Sequence, residues 1–203
     1  IFAVFVRALL LQEIALLDVQ DWFLRMKNTT PYPLYPKTGI HWSSYGEYLV
    51  AYSFIKKISA LSQKPLPSMK LLRIEQDSKP RDRDDDIELG MNLLRNLPDF
   101  KMAYPKFKVQ PLQAGQKAPR VLVIGDSFYY GMYNWGMMQN VFEGGEFWYY
   151  NHERLVPGKE TRYIEDKKNY AKEVGQFDVV VLLLTEANLS RFGFGMQQAY
   201  LRK

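Results

Sequence analysis

The chain has 203 residues, of which 47% are hydrophobic and 15% aromatic, so it is long enough for one domain with a substantial core and is unlike a disordered polypeptide. It has no cysteine, which excludes a disulfide framework, a thiolate metal site and a cysteine nucleophile. The net charge of +5 is a mild excess, and no block of lysine and arginine alternates with aromatic residues, so we expect no nucleic-acid partner.

The first residues predict two helices on either side of a short strand. Residues 1–13 have the pattern of an amphipathic helix that faces the core, residues 14–19 that of an apolar strand, and residues 21–27 that of a helical turn or two. The apolar N-terminal stretch is too short and too often interrupted by polar residues to span a bilayer. Because the sequence begins at Ile1 rather than at methionine, we expect a fragment or a processed product, and an upstream signal or membrane anchor stays open.

A histidine precedes the next predicted helix. Ser43 or Ser44 is a candidate N-cap, with Glu47 completing a capping box, and the helix is expected to run to about residue 62. His41 would then lie on a loop, where side chains can reach a cleft, although a partly buried histidine bonded to the backbone is the alternative.

The chain contains only one other histidine, His152. It lies among charged residues and is expected at the surface. A histidine base must therefore be His41 or His152, and the loop position favours His41.

The stretch from residue 63 to residue 119 is predicted to be the least regular third of the chain. Its expected elements are a linker at 63–69, a charge run at 79–86, a short helix at 87–97 and an edge strand near 107–109. Three adjacent aspartates end the charge run, but they lack the alternating ligand spacing and the glycine of a calcium loop. We interpret the run as a solvated loop that leads into a helix start, and we predict no metal site.

The most informative stretch follows. Residues 121–124, Val-Leu-Val-Ile, predict a strand buried on both faces, Gly125 and Asp126 end it, and residues 128–142 predict a buried helix. Ser127 would lie at the C-terminal edge of a sheet, among the unpaired N–H groups of a helix start. A nucleophile beside which an oxyanion forms needs such a position. The alternative is that Asp126 or Ser127 merely caps the helix.

The remainder of the chain alternates strands and helices, expected at residues 146–151, 165–174, 177–184 and 189–202. The second of these strands is the most hydrophobic in the chain and is followed by Glu186 and Asn188, at the edge where open α/β sheets bind ligands. Capping of the final helix is the alternative for both residues. This βαβ alternation predicts a three-layer α/β/α sandwich with a mainly parallel sheet, and the absence of a glycine-rich phosphate loop predicts no cofactor.

Two motifs carry a family resemblance. The stretch Val-Leu-Val-Ile-Gly-Asp-Ser-Phe resembles the nucleophile block of the SGNH (GDSL-type) hydrolase superfamily. Ordinary members place the histidine after the serine, whereas His41 comes about 86 residues before Ser127. This order, with a His-Trp pair ahead of a helix, is similar to that of the alginate O-acetyltransferase-like branch. The resemblance implies a circularly permuted, SGNH-like domain over residues 1–203, with 63–119 as an irregular insertion.

One position departs from the pattern of that branch, which has an acid two residues before the histidine. Here that position is Gly39, and no carboxylate lies between Asp21 and Glu47. An active site would then need an acid from elsewhere in space, or a Ser–His dyad must suffice. Backbone carbonyls or Glu186 are the groups that we expect to orient His41 in the place of that acid.

The resemblance implies acyl transfer by Ser127, with His41 as its base. The backbone N–H of Ser127, with the Asn188 side chain, would stabilise the oxyanion. Gly125 and Asp126 would shape the turn rather than take part in the chemistry. Four aromatic residues are candidates either to line a sugar groove or to pack in the core: Trp42, Tyr129, Tyr130 and Trp148.

The implied function is that of a serine-dependent O-acetyltransferase or acetylesterase that acts on a polysaccharide or cell-surface glycan. Its expected partners are a carbohydrate polymer as acceptor and an acyl donor, with a membrane acyl-transfer protein as a possible source of the acyl group. The implied location is bacterial and extracytoplasmic, in the periplasm or cell envelope. The alternatives are a catalytically degenerate module that binds glycan without the triad acid, and a structural partner in a cell-surface assembly.

Overall fold

The computed structural model describes residues 2–95, 97, 98, 100–164 and 169–201. The chain divides into two compact units, each described by itself below. The Ser127 unit comprises Ile1–Leu16, Ile55–Pro67 and Pro111–Lys203, and the His41 unit comprises Leu17–Phe54 and Ser68–Gln110.

The helices and strands bear out an α/β fold. The α-helices are α1 (Phe2–Leu11), α2 (Val19–Met26), α3 (Ser44–Ser62), α4 (Asp86–Met91), α5 (Tyr130–Asn134), α6 (Met137–Asn140), α7 (Tyr170–Val174) and α8 (Met196–Leu201). The strands are β1 (Ser68–Asp77), β2 (Met102–Gln110), β3 (Val121–Gly125), β4 (Glu146–Tyr149), β5 (Glu153–Leu155), β6 (Arg162–Tyr163) and β7 (Val179–Leu183). Segments of 3₁₀ helix cover Ser127–Tyr129 and Glu186–Gly195, the second interrupted by a kink with non-helical backbone at 191–194. Among the described residues, no helix is both long enough and apolar enough to cross a membrane.

A mixed sheet forms the centre of the Ser127 unit. Its order in the described residues is β6-β5-β4-β3-β7. Strand β3 pairs in parallel with both β4 and β7, while β5 and β6 pair antiparallel to their neighbours. Because β3 has a strand on each side and packing on each face, all five of its residues are buried, as its continuous apolar run predicts. The sheet is therefore mixed, with parallel pairing at β3.

Side chains cover both faces of this sheet. Leu122 and Ile124 point to one face, where they belong to a buried cluster with Trp148 and with Tyr170 of α7. On the opposite face Phe147 packs against several tyrosine rings of the segment after β3, at centroid distances of 4.9 Å to 5.9 Å. The segment after β3 and the segment after β6 therefore lie on different faces.

A two-stranded antiparallel ribbon of β1 and β2 forms part of the His41 unit. The sequence predicted a linker at 63–69 and only a short edge strand near 107–109, whereas β1 begins at Ser68 and pairs with β2 along its length. Most side chains of β1 are exposed or half-buried, so β1 lacks the buried apolar run from which a strand could be predicted. Pro105, which pairs opposite Ile74, further obscures the pattern because proline donates no ladder hydrogen bond.

The prediction for the N-terminal region is partly wrong. Residues 14–18 form no strand, and Asp18 instead caps α2, its carboxylate accepting from the Asp21 N–H at 2.9 Å. A run of four apolar residues is too short to distinguish a strand from the flank of a helix. Helix α1 forms as predicted but does not simply face a core, since three of its apolar side chains are exposed: Val4, Leu10 and Leu11.

Other helices are shorter than predicted. The helix expected over 128–142 is a 3₁₀ turn followed by α5 and α6, separated at Gly136, whose φ of 91° is left-handed. Helix α4 ends at Met91 because Asn92 adopts a left-handed φ of 48°. For the helices expected over 165–174 and 189–202, residues 165–168 and 202 lie outside the described residues. The described parts hold α7, and a 3₁₀ segment followed by α8.

Candidate active site

The turn after β3 holds Ser127 in the Ser127 unit. Strand β3 ends at Gly125, and Ser127 follows, half-buried, as the first residue of a 3₁₀ turn that leads into α5. A Cβ added at Gly125 would lie 3.0 Å from the carbonyl oxygen of Leu183 on β7, so the close approach of the two strands favours glycine there. The serine thus stands at the C-terminal end of a buried parallel strand, as predicted.

Hydrogen bonds to the Asp126 carboxylate hold this turn in place. The carboxylate accepts from the Phe128 N–H at 3.2 Å, from the Thr185 N–H at 2.8 Å and hydroxyl at 2.9 Å, and from the Asn188 amide at 3.0 Å. Asp126 is only 1% exposed, and these donors satisfy a charge that would otherwise be costly to bury. Asp126 therefore ties the turn after β3 to the segment after β7.

Asn188 takes part in the same hydrogen-bond network. Its Nδ2 donates to Asp126 and, at 3.0 Å, to the Thr185 hydroxyl. An amide nitrogen has two hydrogens, so both have acceptors within the turn. Glu186 lies nearby in the chain, exposed at the start of the 3₁₀ segment that follows β7.

The histidine of the His41 unit has a carboxylate partner. His41 Nδ1 lies 2.8 Å from Asp86 Oδ2, and the two side chains are only 13% and 28% exposed. The other oxygen of Asp86 accepts from the Ile40 N–H at 2.8 Å. Because an ionised carboxylate only accepts hydrogen bonds, the pair places the imidazole proton on Nδ1 and makes Nε2 the basic nitrogen. A histidine held in this way has the tautomer that a general base requires.

Packing of the charge run brings Asp86 to His41 across 45 residues of sequence. The N–H groups of Ile87 and Glu88, at the start of α4, donate to the Thr38 carbonyl at 2.9 Å and 3.3 Å. The Thr38 hydroxyl in turn donates to the Asp84 carbonyl at 3.2 Å. The acidic run therefore packs against the segment that carries His41.

The same packing explains why position 39 is glycine. A Cβ at Gly39 would lie 2.6 Å from both the Arg83 carbonyl oxygen and Pro36 Cγ, closer than real Cβ contacts come. An acid at position 39, as in the branch that the motifs resemble, does not fit this backbone, and the carboxylate at His41 belongs to Asp86 instead. The sequence predicted this run to be a loop that leads into a helix start, and α4 does begin at Asp86. The pairing of Asp86 with His41 was not predicted. The sequence did contain a signal for this pairing. His41 lacks the acid expected at position 39, and the charge run is the densest group of acids in the chain.

The start of α3 positions the residues that follow His41. Ser43 is the N-cap, with its Oγ accepting from the Gly46 N–H at 3.0 Å and donating to the Pro33 carbonyl at 2.6 Å. Glu47 does not complete the predicted capping box. Its carboxylate instead accepts a hydrogen bond from the Trp42 indole N–H at 3.3 Å. The His-Trp segment is thus held by contacts on each side of the cap.

Two acids in the His41 unit have raised pKa values. Burial raises the pKa of Glu47 from 4.5 to about 7, an effect that the Trp42 hydrogen bond and the Arg83 charge only partly oppose. Burial likewise raises the pKa of Asp84 from 3.8 to about 6, opposed by a hydrogen bond from Tyr104. Both acids therefore gain their charge nearer to neutral pH than exposed carboxyls do.

The aromatic candidates differ in exposure. Trp42 is 7% exposed, and Tyr129 and Trp148 are completely buried, which matches core packing rather than an open groove. Tyr130 is half-buried and packs edge-on against Phe147 and Tyr149. The remaining histidine, His152, is exposed as expected, with its ring 5.2 Å from that of Tyr163. In the described part of the chain, no group of three or more acids and histidines is arranged to hold a metal ion.

Comparison with known proteins gives structural similarity at low identity. The sequence matches no family profile and no curated protein. PatB1 from Bacillus cereus, solved with a sulfonyl adduct, aligns with 85% of this chain and 69% of its own, at 12% identity and a TM-score of 0.47. AlgX from Pseudomonas aeruginosa aligns with 84% of this chain at 11% identity and a TM-score of 0.46, and this chain spans only 43% of the AlgX chain. No family assignment follows from these similarities, and we rest the function on the chemistry of the side chains.

Proposed function

We propose that the chain is a serine-dependent O-acyltransferase or esterase that moves acetyl groups on glycans. The observation that carries the proposal is the hydrogen bond between His41 Nδ1 and Asp86. Histidine oriented by a buried or half-buried carboxylate is the base of the serine acyl-transfer triads, in which the carboxylate fixes the tautomer and stabilises the imidazolium. Ser127, at the end of a buried strand, is the nucleophile of the proposal.

The proposed reaction proceeds through an acyl-enzyme. His41 Nε2 takes the proton of Ser127 Oγ as Oγ attacks the carbonyl carbon of an acetyl ester. The tetrahedral oxyanion is stabilised by the Ser127 N–H, and Asn188 serves as a second donor only if it gives up one of its present hydrogen bonds. As the C–O bond to the leaving alcohol breaks, the alcohol takes the proton from His41. A sugar hydroxyl, or water in an esterase, then attacks the acyl-enzyme as His41 takes its proton. The bond between the acetyl carbon and Ser127 Oγ breaks, and Oγ takes the proton back from His41.

The Asp86 pairing weighs against the degenerate, glycan-binding alternative. That alternative rested on the missing acid at Gly39, since loss of the triad acid costs about four orders of magnitude in turnover. With Asp86 bonded to Nδ1, the histidine has the same kind of support from another part of the chain. The motif resemblance also supports a polysaccharide acceptor, an acyl donor and an extracytoplasmic location, and these belong to the proposal.

Hydrolysis of p-nitrophenyl acetate tests the nucleophile and the base. We expect Ser127→Ala and His41→Ala each to reduce turnover by about a thousandfold or more. His152→Ala is the matched control, because it removes the other histidine, which is exposed, and should leave turnover unchanged. Equal rates in all four proteins would refute the esterase reaction.

A labelling experiment covers a strict transferase that does not release acetyl groups to water. A sulfonyl fluoride reacts with a serine whose hydroxyl is activated by a neighbouring base. We expect mass spectrometry to find the adduct on Ser127 in the wild-type protein and in His152→Ala, and little of it in His41→Ala. Absence of the adduct from the wild-type protein, together with no ester turnover, would exclude Ser127 as a nucleophile.

A further inference from the structure

One face of the ribbon of β1 and β2, in the His41 unit, collects basic side chains. Lys70 on β1 lies directly opposite Lys108 on β2, and beyond a bulge in β1 Arg73 lies opposite Lys106. Side chains two residues apart on a strand share a face, and so do side chains that lie opposite each other in the register. Both pairs therefore lie on the same face. We call these four residues the ribbon patch: Lys70, Arg73, Lys106 and Lys108.

The ribbon patch faces solvent because the ribbon packs on the protein with its other face. All four side chains of the patch are exposed. On the opposite face, Phe107 of β2 packs against Tyr48 of α3, with ring centroids 5.5 Å apart. Met69, which lies on that face too, is buried. The basic face is therefore the one that a partner can reach.

The positive charge of the patch is only partly balanced. Arg73 and Lys106 share one carboxylate, that of Glu75, at 2.7 Å and 3.6 Å. Within the described residues, no carboxylate forms an ion pair with Lys70 or Lys108. Like charges directly opposite each other on paired strands are destabilising. Lysine on an exposed strand can discourage pairing with other strands, but that role does not need two lysines opposite each other. An anionic partner would offset the repulsion within the patch.

Two leucines indicate which kind of anionic partner the patch fits. Leu71 and Leu72 lie between Lys70 and Arg73 in the chain and are 40% and 53% exposed. The surface of an anionic bilayer attracts cations to its headgroups and takes apolar side chains into the boundary below them, whereas a soluble polyanion offers charge alone. A single-stranded nucleic acid would need exposed rings on which its bases stack, but Tyr104, the aromatic residue of this face, is only 4% exposed.

We propose that the ribbon patch docks the protein on the surface of a membrane that contains anionic lipids. The four cations lie among the headgroups. Leu72, which has no partner on β2 because the bulge shifts the register there, enters the boundary between headgroups and acyl chains. The docking is peripheral, and it does not rest on the proposed acyl transfer.

Sedimentation of the full chain with lipid vesicles tests the docking. Vesicles of equal parts phosphatidylglycerol and phosphatidylcholine carry negative charge, and vesicles of phosphatidylcholine alone carry no net charge. We expect the protein to bind the charged vesicles at least tenfold more tightly than the neutral ones, and to be released from them as added salt screens the charges. Equal binding to the two kinds of vesicle, or binding to neither, would overturn the proposal.

Paired lysine substitutions locate the binding surface. Each cation near an anionic membrane contributes about fivefold to binding, so the double variant Lys70→Ala, Lys108→Ala should bind the charged vesicles about 25-fold more weakly. The control is the double variant Lys27→Ala, Lys79→Ala, which removes the same charge from two exposed lysines of the same unit outside the patch and should bind like wild type. Because the patch variant removes two opposed charges, its unfolding temperature should equal or exceed that of wild type. Unchanged binding in the patch variant, or an equal loss in the control, would overturn the assignment to the ribbon.

Leu72→Ser separates a bilayer from a soluble polyanion. It should weaken binding to the charged vesicles at least threefold, because it removes apolar area from the interface, and leave retention on immobilised polyglutamate unchanged. Equal vesicle binding by Leu72→Ser and wild type would overturn the insertion of this side chain. Retention on polyglutamate without vesicle binding would assign the patch to a soluble acidic partner and overturn the membrane docking. Ser127→Ala should bind vesicles like wild type, so loss of ester turnover and loss of docking are separate results.

Discussion

Glu47 is expected to make the protein less stable as pH rises towards neutrality. Burial raises the pKa of its carboxyl from 4.5 to about 7, so between these values the folded protein binds more protons at this site than the unfolded chain does. The free energy of unfolding therefore falls as pH rises through this window, and the whole loss is present above pH 7. At 1.36 kcal/mol for each tenfold change in proton affinity, the loss is about 3 kcal/mol.

Glu47→Gln removes this titration and keeps an acceptor for the Trp42 indole N–H. Relative to wild type, the variant should gain up to about 3 kcal/mol between about pH 4.5 and about pH 8, as measured by urea unfolding followed by tryptophan fluorescence. The quantity compared is the difference in free energy of unfolding between the variant and wild type, followed as pH changes. Asp84, with a pKa of about 6, adds a pH dependence that is common to both proteins and is removed by taking this difference. Glu143→Gln, which alters an exposed carboxylate, is the control. A difference that stays constant with pH, or that favours wild type at high pH, would refute the reasoning.

Three further substitutions test contacts within the His41 unit and within the Ser127 unit. Asp86→Asn should lower kcat for ester hydrolysis by about three to four orders of magnitude with little change in KM, because Asn still accepts from the Ile40 N–H but no longer stabilises the imidazolium; an unchanged kcat would contradict the pairing. Gly39→Ala should lower the free energy of unfolding by about 1–3 kcal/mol, since the added Cβ meets the Arg83 carbonyl oxygen at 2.6 Å. A variant as stable as wild type in urea would show that the backbone shifts to make room for the Cβ. Asp126→Ala should cost about 3–5 kcal/mol because it leaves several buried donors without their acceptor, and thermal unfolding at the wild-type temperature would contradict that role.

Several features of the fold could be predicted from the sequence because their signals are local. The apolar runs at β3 and β7 are continuous, and such runs indicate strands; β3 is buried along its length, whereas β7, at the end of the described sheet order, is half-buried. The turn at Gly125 and the start of α3 beside His41 follow from residues within one or two turns of each other. The sequence by itself therefore determined where Ser127 and His41 lie relative to their own strand and helix.

Only the tertiary structure decided which partners these residues meet. The carboxylate at His41 comes from Asp86, 45 residues away, and nothing in local propensity distinguishes that aspartate from its neighbours in the acidic run. The pairing of β1 with β2 is likewise non-local, and the mostly exposed or half-buried side chains of β1 show no regular apolar period. Propensity and periodicity report on neighbours in the chain, whereas a hydrogen bond between distant segments depends on how the backbone packs, as the absence of room for a side chain at Gly39 shows.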